Sequence, residues 1–556
     1  MASNPHSCRV ISRERVFPAA VSLGEKATVT KLSIVDASVA RFSTCAAVWL
    51  YNATETSRDS TLHHDRLRQA LRQTLDDYRH FAGQLRWATK DDIGPGDPNP
   101  RHVGRPVVSY GTPADPGVEL VHADYDRPLG GVVPSAQDRR TAQRVWVATD
   151  FPQDELLPAC KLAFNSGLAE FDGLAGVAVQ ITRFSCGGLA VGVMMSHCLA
   201  DAMCMVRFVH SWAARARVLV TGDPVGLDNS LRKPVFEPGM LDQHAGLTDN
   251  SEPDAEMVAL AWSLPMHRYD WWATDAPGYP AWATPSSNAT KPEDLDRTKL
   301  SPSTFPPWPT WDLAAPVDHV QIRFGAEEVA RMKQAARATL PSQQHHYDDE
   351  QQQQPTISRL DALLAHMWIL INRARRHQET HEEDVYLDIT LGLRSRVSPP
   401  LPDAFAGSPI LLGHVARRGS AVCSAGALGA AALAVRRMTA LFTPRAVSAY
   451  LHDAAHEVSP QRLWQGFLGS RHTLVTSWVR AGSYEVDFCG DGARPVYVQG
   501  KMPRMDGILQ VMDVGEDLGE FDVSLCLERE AMGRLLGDEV LRKYEPRWVT
   551  TSSCVD

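Results

Sequence analysis

The stretch LAVGVMMSHCLADAMCMVRFVHSW, residues 189–212, decides how this chain is read. Its first seven residues, Leu189 to Met195, are an unbroken apolar run of strand length. After His197 the period changes: Met205, Phe208, Val209 and Trp212 fall at i, i+3, i+4 and i+7, one face of a helix. His197 therefore stands at a strand-to-helix junction, at the end of a sheet, where clefts tend to form. An imidazole titrates at about 6.5 when unperturbed, which suits proton abstraction near neutrality. Asp201, four residues on, either orients that ring or caps the helix with a carboxylate facing free N–H groups. The spacing alone decides nothing, because His-x-x-x-Asp also occurs at His122/Asp126 and His345/Asp349. A histidine satisfied in the core is the plain alternative. Cys198, between His197 and Leu199, reads as a small apolar filler rather than a nucleophile.

Working outward, AGVAVQITRFSCGGLAVGVMMS gives two apolar strands joined at Cys186-Gly187-Gly188, a hairpin signal. Upstream, TVTKLSIVDASVARFSTCAAVWLYN (28–52) predicts strand, polar turn, strand. Leu67, Leu71, Leu75 and Tyr78 then recur at helical spacing. Residues 92–140, rich in Pro, Gly and Asp, predict a loop-dominated stretch. Residues 220–317 carry many prolines together with Trp262, Trp271, Trp272, Trp282, Trp308 and Trp311, aromatics that a disordered linker would lack. They predict a long crossover lying on the body of the protein; an aromatic lid over a substrate is the sharper alternative. The second half restarts with a strand at DHVQIRF, a helix at AEEVARMKQAARATL, and a polar, Gln-rich surface loop that absorbs His345 and Asp349. A helix SRLDALLAHMWILINRARR and strands at VYLDITLGL, TLVTSW and GEDLGEFDVSLCL follow, before a last helix, EREAMGRLLGDEVLRKY. Helices and strands mix without a simple βαβ repeat, so two α/β sandwiches are expected rather than a barrel.

At 556 residues the chain exceeds one compact core, and 44% hydrophobic with 22% charged residues is ordinary for a globular protein. A net charge of -10 argues against a nucleic-acid binder, which needs a basic face. No apolar run reaches the roughly 18–20 residues that span a bilayer. The polar N-terminus MASNPHSCRVISRERVF lacks a secretory apolar core, so a cytoplasmic home is expected. The ten cysteines contain no Cys-x-x-Cys pair, and no metal site is predicted from them. Gly-x-Ser-x-Gly, P-loop and Gly-x-Gly-x-x-Gly patterns are missing in suitable context, leaving serine hydrolase, NTPase and Rossmann readings unsupported.

The order of several segments goes further. SHCLADA resembles the His-x-x-x-Asp signature of the BAHD superfamily of coenzyme A-dependent acyltransferases, and VQITRFSCGGLAVGVMMSH is similar to that family's approach to it. In the family's order, KLSIVD (31–36), YRHFAGQL (78–85), LDNSL (227–231), SRLDALLAHMW (358–368), RSRVSPPLPDAFAGS (394–408) and TSWVRAGSYEVDFCGDGARPVYV (476–498) also match. The resemblance spans residues 15 to 545, and its closing block looks like the extended form of fungal members such as trichothecene acetyltransferases. Cys489 stands where that block has a glycine, Ala202 follows the aspartate in place of glycine, and Ser408 replaces the usual asparagine.

The resemblance implies two chloramphenicol-acetyltransferase-like α/β sandwich domains with a channel between them. Residues 1–225 would form the first, 226–317 the crossover and 318–556 the second. It implies that His197 is the general base and that Asp201 turns away from the substrate to pair with Arg394. Thr476 and Trp478, together with Asp36, become oxyanion or substrate-binding candidates, while Asp487, Gly490 and Gly492 look architectural. No permanent cofactor is implied. Acyl-CoA would be the co-substrate and a small-molecule alcohol or amine, such as a secondary metabolite, the acceptor of a monomeric enzyme. A family-shaped binding protein, or a fold recruited for a rearrangement or cyclisation, is the alternative. A condensation-type domain is weakened by Ser196, which stands where such domains usually carry a first histidine.

Overall fold

The computed structural model describes residues 8–546 except 21–23, 25, 41–42, 55–59, 93–104, 165–170, 223–232, 247–251, 289–290, 292–294, 296–297, 299, 341–355, 380–382, 490–491 and 515–518. The expected segments LDNSL and the Gln-rich loop with His345 and Asp349 lie outside the described residues.

The apolar run at 189–195 forms the strand Leu189–Met195, buried at every position. It pairs antiparallel with Val177–Phe184, the expected hairpin partner, and on its other side with Cys45–Tyr51. These three strands form the centre of a six-stranded sheet. Cys8–Val16 and Val118–Tyr125 extend it on one side; Tyr497–Gly500 closes it on the other. A seven-stranded sheet follows the order Ile410–Arg418, Asp384–Gly392, His472–Ser477, Ile508–Asp513, Phe521–Glu528, Val317–Phe324, Val145–Val147. Both sheets mix parallel and antiparallel pairs, so the fold is mixed α/β without a closed barrel.

The two halves exchange strands. Tyr497–Gly500 comes from the second half yet pairs with Cys45–Tyr51 in the first sheet. Val145–Val147, from the first half, pairs with Val317–Phe324 in the second sheet. Ile34 and Val35 likewise join the apolar core of the second sheet, while Leu32 joins that of the first. Sheet membership thus crosses the sequence boundaries at 225 and 317: one edge of each sheet is covered by a strand from the other half.

Helix Ser60–Leu75 packs on helix Ala202–Thr221 over the first sheet, with Leu67, Leu71 and Leu75 fully buried as their spacing predicts. Two expectations are corrected. The supposed polar turn between the strands near 28 and 52 is the helix Ile34–Ser38, started by a capping box in which Ser33 and Asp36 bond each other's backbone. A five-residue helix is too short to show periodicity, so the cap was its only signal. The loop-dominated 92–140 stretch carries the strands Pro106–Tyr110 and Val118–Tyr125 and the short helix Ala136–Arg140. The turns separating them dominate its composition.

The crossover lies on the protein body. Trp271, Trp272, Trp308 and Trp311 are buried against Phe467 and Ile508 of the second half, whereas Trp262 and Trp282 remain exposed. No helix among the described residues is long and apolar enough to cross a membrane.

Candidate active site

The junction after Leu189–Met195 is fixed from its backbone. Ser196 N–H donates to the Gly176 carbonyl (2.8 Å) and its hydroxyl to the Ala163 carbonyl (2.5 Å), ending the strand with no group unsatisfied. His197 follows in the turn and is half-buried, while Ser196, Cys198, Leu199 and Ala200 around it are buried. Burial pushes its imidazole below the ordinary histidine range, against the upward pull of its own backbone and of Asp201. Its Nδ1 lies 3.0 Å from the Ser408 hydroxyl. Burial pushes the Cys198 thiol far up, in keeping with a filler rather than a nucleophile.

Asp201 has the second of its two expected uses. It caps the helix Ala202–Thr221, its Oδ1 accepting the Cys204 N–H at 2.8 Å. It also receives both arms of Arg394, Nη1 to Oδ2 at 2.5 Å and Nη2 to Oδ1 at 3.0 Å. Arg394 Nη2 further donates to the Phe405 carbonyl (3.0 Å), and the Asp201 N–H donates to the Gly407 carbonyl (3.1 Å). One buried carboxylate thereby ties the helix start to the 394–408 loop. Such a pair adds little net stability over an apolar isostere, but removing one partner strands a buried charge.

Asp36 is not placed among groups open to a substrate. It is 1% exposed, and its oxygens accept from Ser33 N–H (2.9 Å), the Ser33 hydroxyl (2.7 Å) and Ser408 N–H (2.6 Å). Burial raises its carboxyl to about 6, although those three bonds pull the other way. Its geometric effect is on the loop: it holds the backbone of the residue whose hydroxyl faces His197. Sequence reasoning had Ser408 only as a departure from an asparagine; the signal was its place at the end of RSRVSPPLPDAFAGS. Gly407 reaches that position with φ +154, where an added Cβ would meet Phe405 and the Asp36 carboxylate at 3.1–3.6 Å.

Thr476 is half-buried near the end of the strand His472–Ser477. Trp478 lies just beyond it, 5% exposed, in the same apolar cluster as Met195 and Cys198 on either side of the histidine junction. Its main-chain N–H donates to the Val511 carbonyl (2.8 Å). Asp487 accepts from the N–H groups of Cys489 (2.9 Å) and Gly492 (3.1 Å), and Gly492 has φ +78. The intervening Phe488 is fully buried, edge-on to Trp212 at 4.9 Å and to Tyr51 at 6.1 Å. The closing block is therefore a turn that anchors an aromatic under the helix led by Asp201. Gly490 lies outside the described residues.

Two mixed sheets, each carrying one edge strand from the other half and neither closed into a barrel, make up the body of the fold. The structure superposes on F. sporotrichioides TRI101, solved with coenzyme A and T-2, at a TM-score of 0.62 over 92% of this chain and 98% of that one, at 17% identity. Vinorine synthase matches at a TM-score of 0.54 and 17% identity, over 95% of this chain and 98% of that one. In sequence, acyltransferase AFT15-1 of Alternaria alternata is 25% identical over 90% of this chain and 91% of its own length. Acyltransferase abl6 of Leptosphaeria maculans is 26% identical over 86% and 85%. The sequence profile of the Transferase family matches residues 7–93, 170–239 and 283–539, well over half of the chain. The chain belongs to that family, the BAHD acyltransferases.

Proposed function

We propose that the protein moves an acyl group from acyl-CoA to a hydroxyl or amine of a small secondary metabolite, with His197 as general base. The observation that carries this reading is the division of labour at the junction. Asp201 is taken up by Arg394 and the helix start, leaving the half-buried imidazole held through Nδ1 by Ser408. With Nδ1–H donating to the Ser408 oxygen, Nε2 keeps its lone pair for the acceptor. The acceptor's proton passes to Nε2 as its oxygen or nitrogen attacks the thioester carbonyl. The C–S bond then breaks, and the imidazolium returns the proton to the departing thiolate. The Trp478 indole N–H and the Thr476 hydroxyl are assigned to the developing oxyanion. Asp36, Arg394, Asp487 and Gly492 hold the loops around the site.

Coenzyme A in the solved trichothecene enzyme and the acyltransferase names of the fungal relatives support the donor class. We further assign 1–225 and 318–556 to two catalytic domains, with 226–317 as the crossover, in a cytoplasmic monomer that needs no resident cofactor. The test incubates the protein with acetyl-, malonyl- and longer acyl-CoAs plus candidate alcohols and amines, following free thiol. Acceptor-dependent thiol release that vanishes in a folded His197→Ala variant is the expected result. Release unchanged in that variant rejects the base assignment.

A further inference from the structure

At the second sheet, three donor side chains from distant parts of the chain meet. His267 comes from the crossover, Asp388 from the strand Asp384–Gly392, and His472 from the start of the strand His472–Ser477. His267 Nε2 lies 2.9 Å from Asp388 Oδ1 and His472 Nδ1 lies 2.8 Å from Asp388 Oδ2. All three donor atoms fall within 4.8 Å of one another. The residues are 8%, 0% and 1% exposed.

The charge here is unbalanced. Among the described residues no lysine or arginine reaches Asp388; its partners are the two imidazoles alone. A carboxylate fully removed from water is costly unless a cation accompanies it. Two imidazoles and a carboxylate are the donor set of a zinc-type divalent cation, whose charge would also balance Asp388. The rings are already oriented: Tyr386 stacks on His472 at 4.7 Å and Tyr269 on His267 at 4.8 Å.

We propose that His267, Asp388 and His472 form a binding site for one zinc-type divalent cation that clamps the crossover onto the second sheet. The cysteine count gave no hint of it, because the ligands are histidine and carboxylate without a local spacing. The site is independent of the acyl-transfer reading.

The test uses the full-length protein purified without chelator, its metal content measured by mass spectrometry. A chelator-treated sample is then titrated with zinc by calorimetry and scanned for melting temperature. One zinc per chain, a melting temperature that rises with zinc and falls on chelation, and loss of both in Asp388→Asn are expected. If Asp388→Asn does not fold, His267→Gln, which alters only the crossover's ligand, replaces it with the same expectation. Cobalt(II) in the wild type would give a ligand-field absorption that His267→Gln abolishes. Failure of the wild type to bind zinc stoichiometrically overturns the proposal, leaving a hydrogen-bonded Asp–His network. Zinc binding undiminished in His267→Gln also overturns it, as metal held elsewhere by the chain's other histidines and cysteines.

Discussion

The Nδ1 atom of His197 and the hydroxyl of Ser408 lie 3.0 Å apart although 211 positions separate them in the chain. Ser408 in turn donates its N–H to Asp36 at 2.6 Å, so a buried carboxylate from the first half fixes a hydroxyl from the second against the imidazole.

That contact holds the ring's aim, and Ser408→Ala should lower kcat with little change in KM. A neutral hydrogen bond contributes about 0.5–1.5 kcal/mol, hence a loss of about 2- to 13-fold. Ser408→Asn, which restores a polar partner, should recover part of it. Steady-state kinetics with a fixed acyl-CoA and acceptor would decide; a change confined to KM would count against a positioning effect.

His197→Ala should retain the wild-type circular dichroism and lose turnover by about 10²- to 10⁴-fold, the range for removing a positioned base. Burial lowers the imidazole's affinity for protons, so the acid limb of kcat/KM should fall below the ordinary histidine value. The sign for stability agrees. The unfolded chain takes up the proton first, so this group's contribution is present above about 6.5 and lost as pH falls further. A pH–rate profile with its acid limb above that value would contradict the expectation.

Asp36 titrates in the opposite sense. Its folded carboxyl sits near 6 against an ordinary 3.8, so the folded state binds the proton more readily. This group's stabilising contribution is complete below the unfolded value and is lost as pH rises through about 6. The melting temperature of the wild type, relative to Asp36→Asn, should therefore decline as pH rises from 4 to 6. A pH-independent difference would mean that the carboxyl is not perturbed.

Asp201→Ala removes a helix cap and leaves the Arg394 guanidinium buried without its partner. A loss of about 3–5 kcal/mol is expected from the broken pair, with low yield and a depressed melting temperature. Asp201→Asn keeps a good cap and should fall between the two. Chemical denaturation measures both; a stable but inactive alanine variant would show that Asp201 acts on the imidazole directly.

Trp478→Phe keeps an aromatic ring in the buried cluster but removes the indole N–H assigned to the oxyanion. If that donor meets the oxyanion, kcat should drop by about 10²- to 10³-fold, the range for one such donor. Pre-steady-state thiol release would separate this loss from slow product release.

By itself the sequence determined the local elements around the candidate site. The apolar run into His197, the helix stripe from Met205 to Trp212 and the hairpin before them depend on neighbours a few residues apart, and their periods are legible without coordinates. Family-like motifs added Arg394 and Trp478 to the same neighbourhood. Tertiary structure alone decided what those residues touch. Asp36 was read as facing substrate and instead lies buried beneath Ser408, because a carboxylate's direction is set by the packing of helix Ile34–Ser38 against the second half. The exchange of strands between the sheets and the meeting of His267, Asp388 and His472 were likewise invisible in the chain. Such contacts join residues far apart in sequence. Periodicity reports which face of an element is buried, not which distant element buries it.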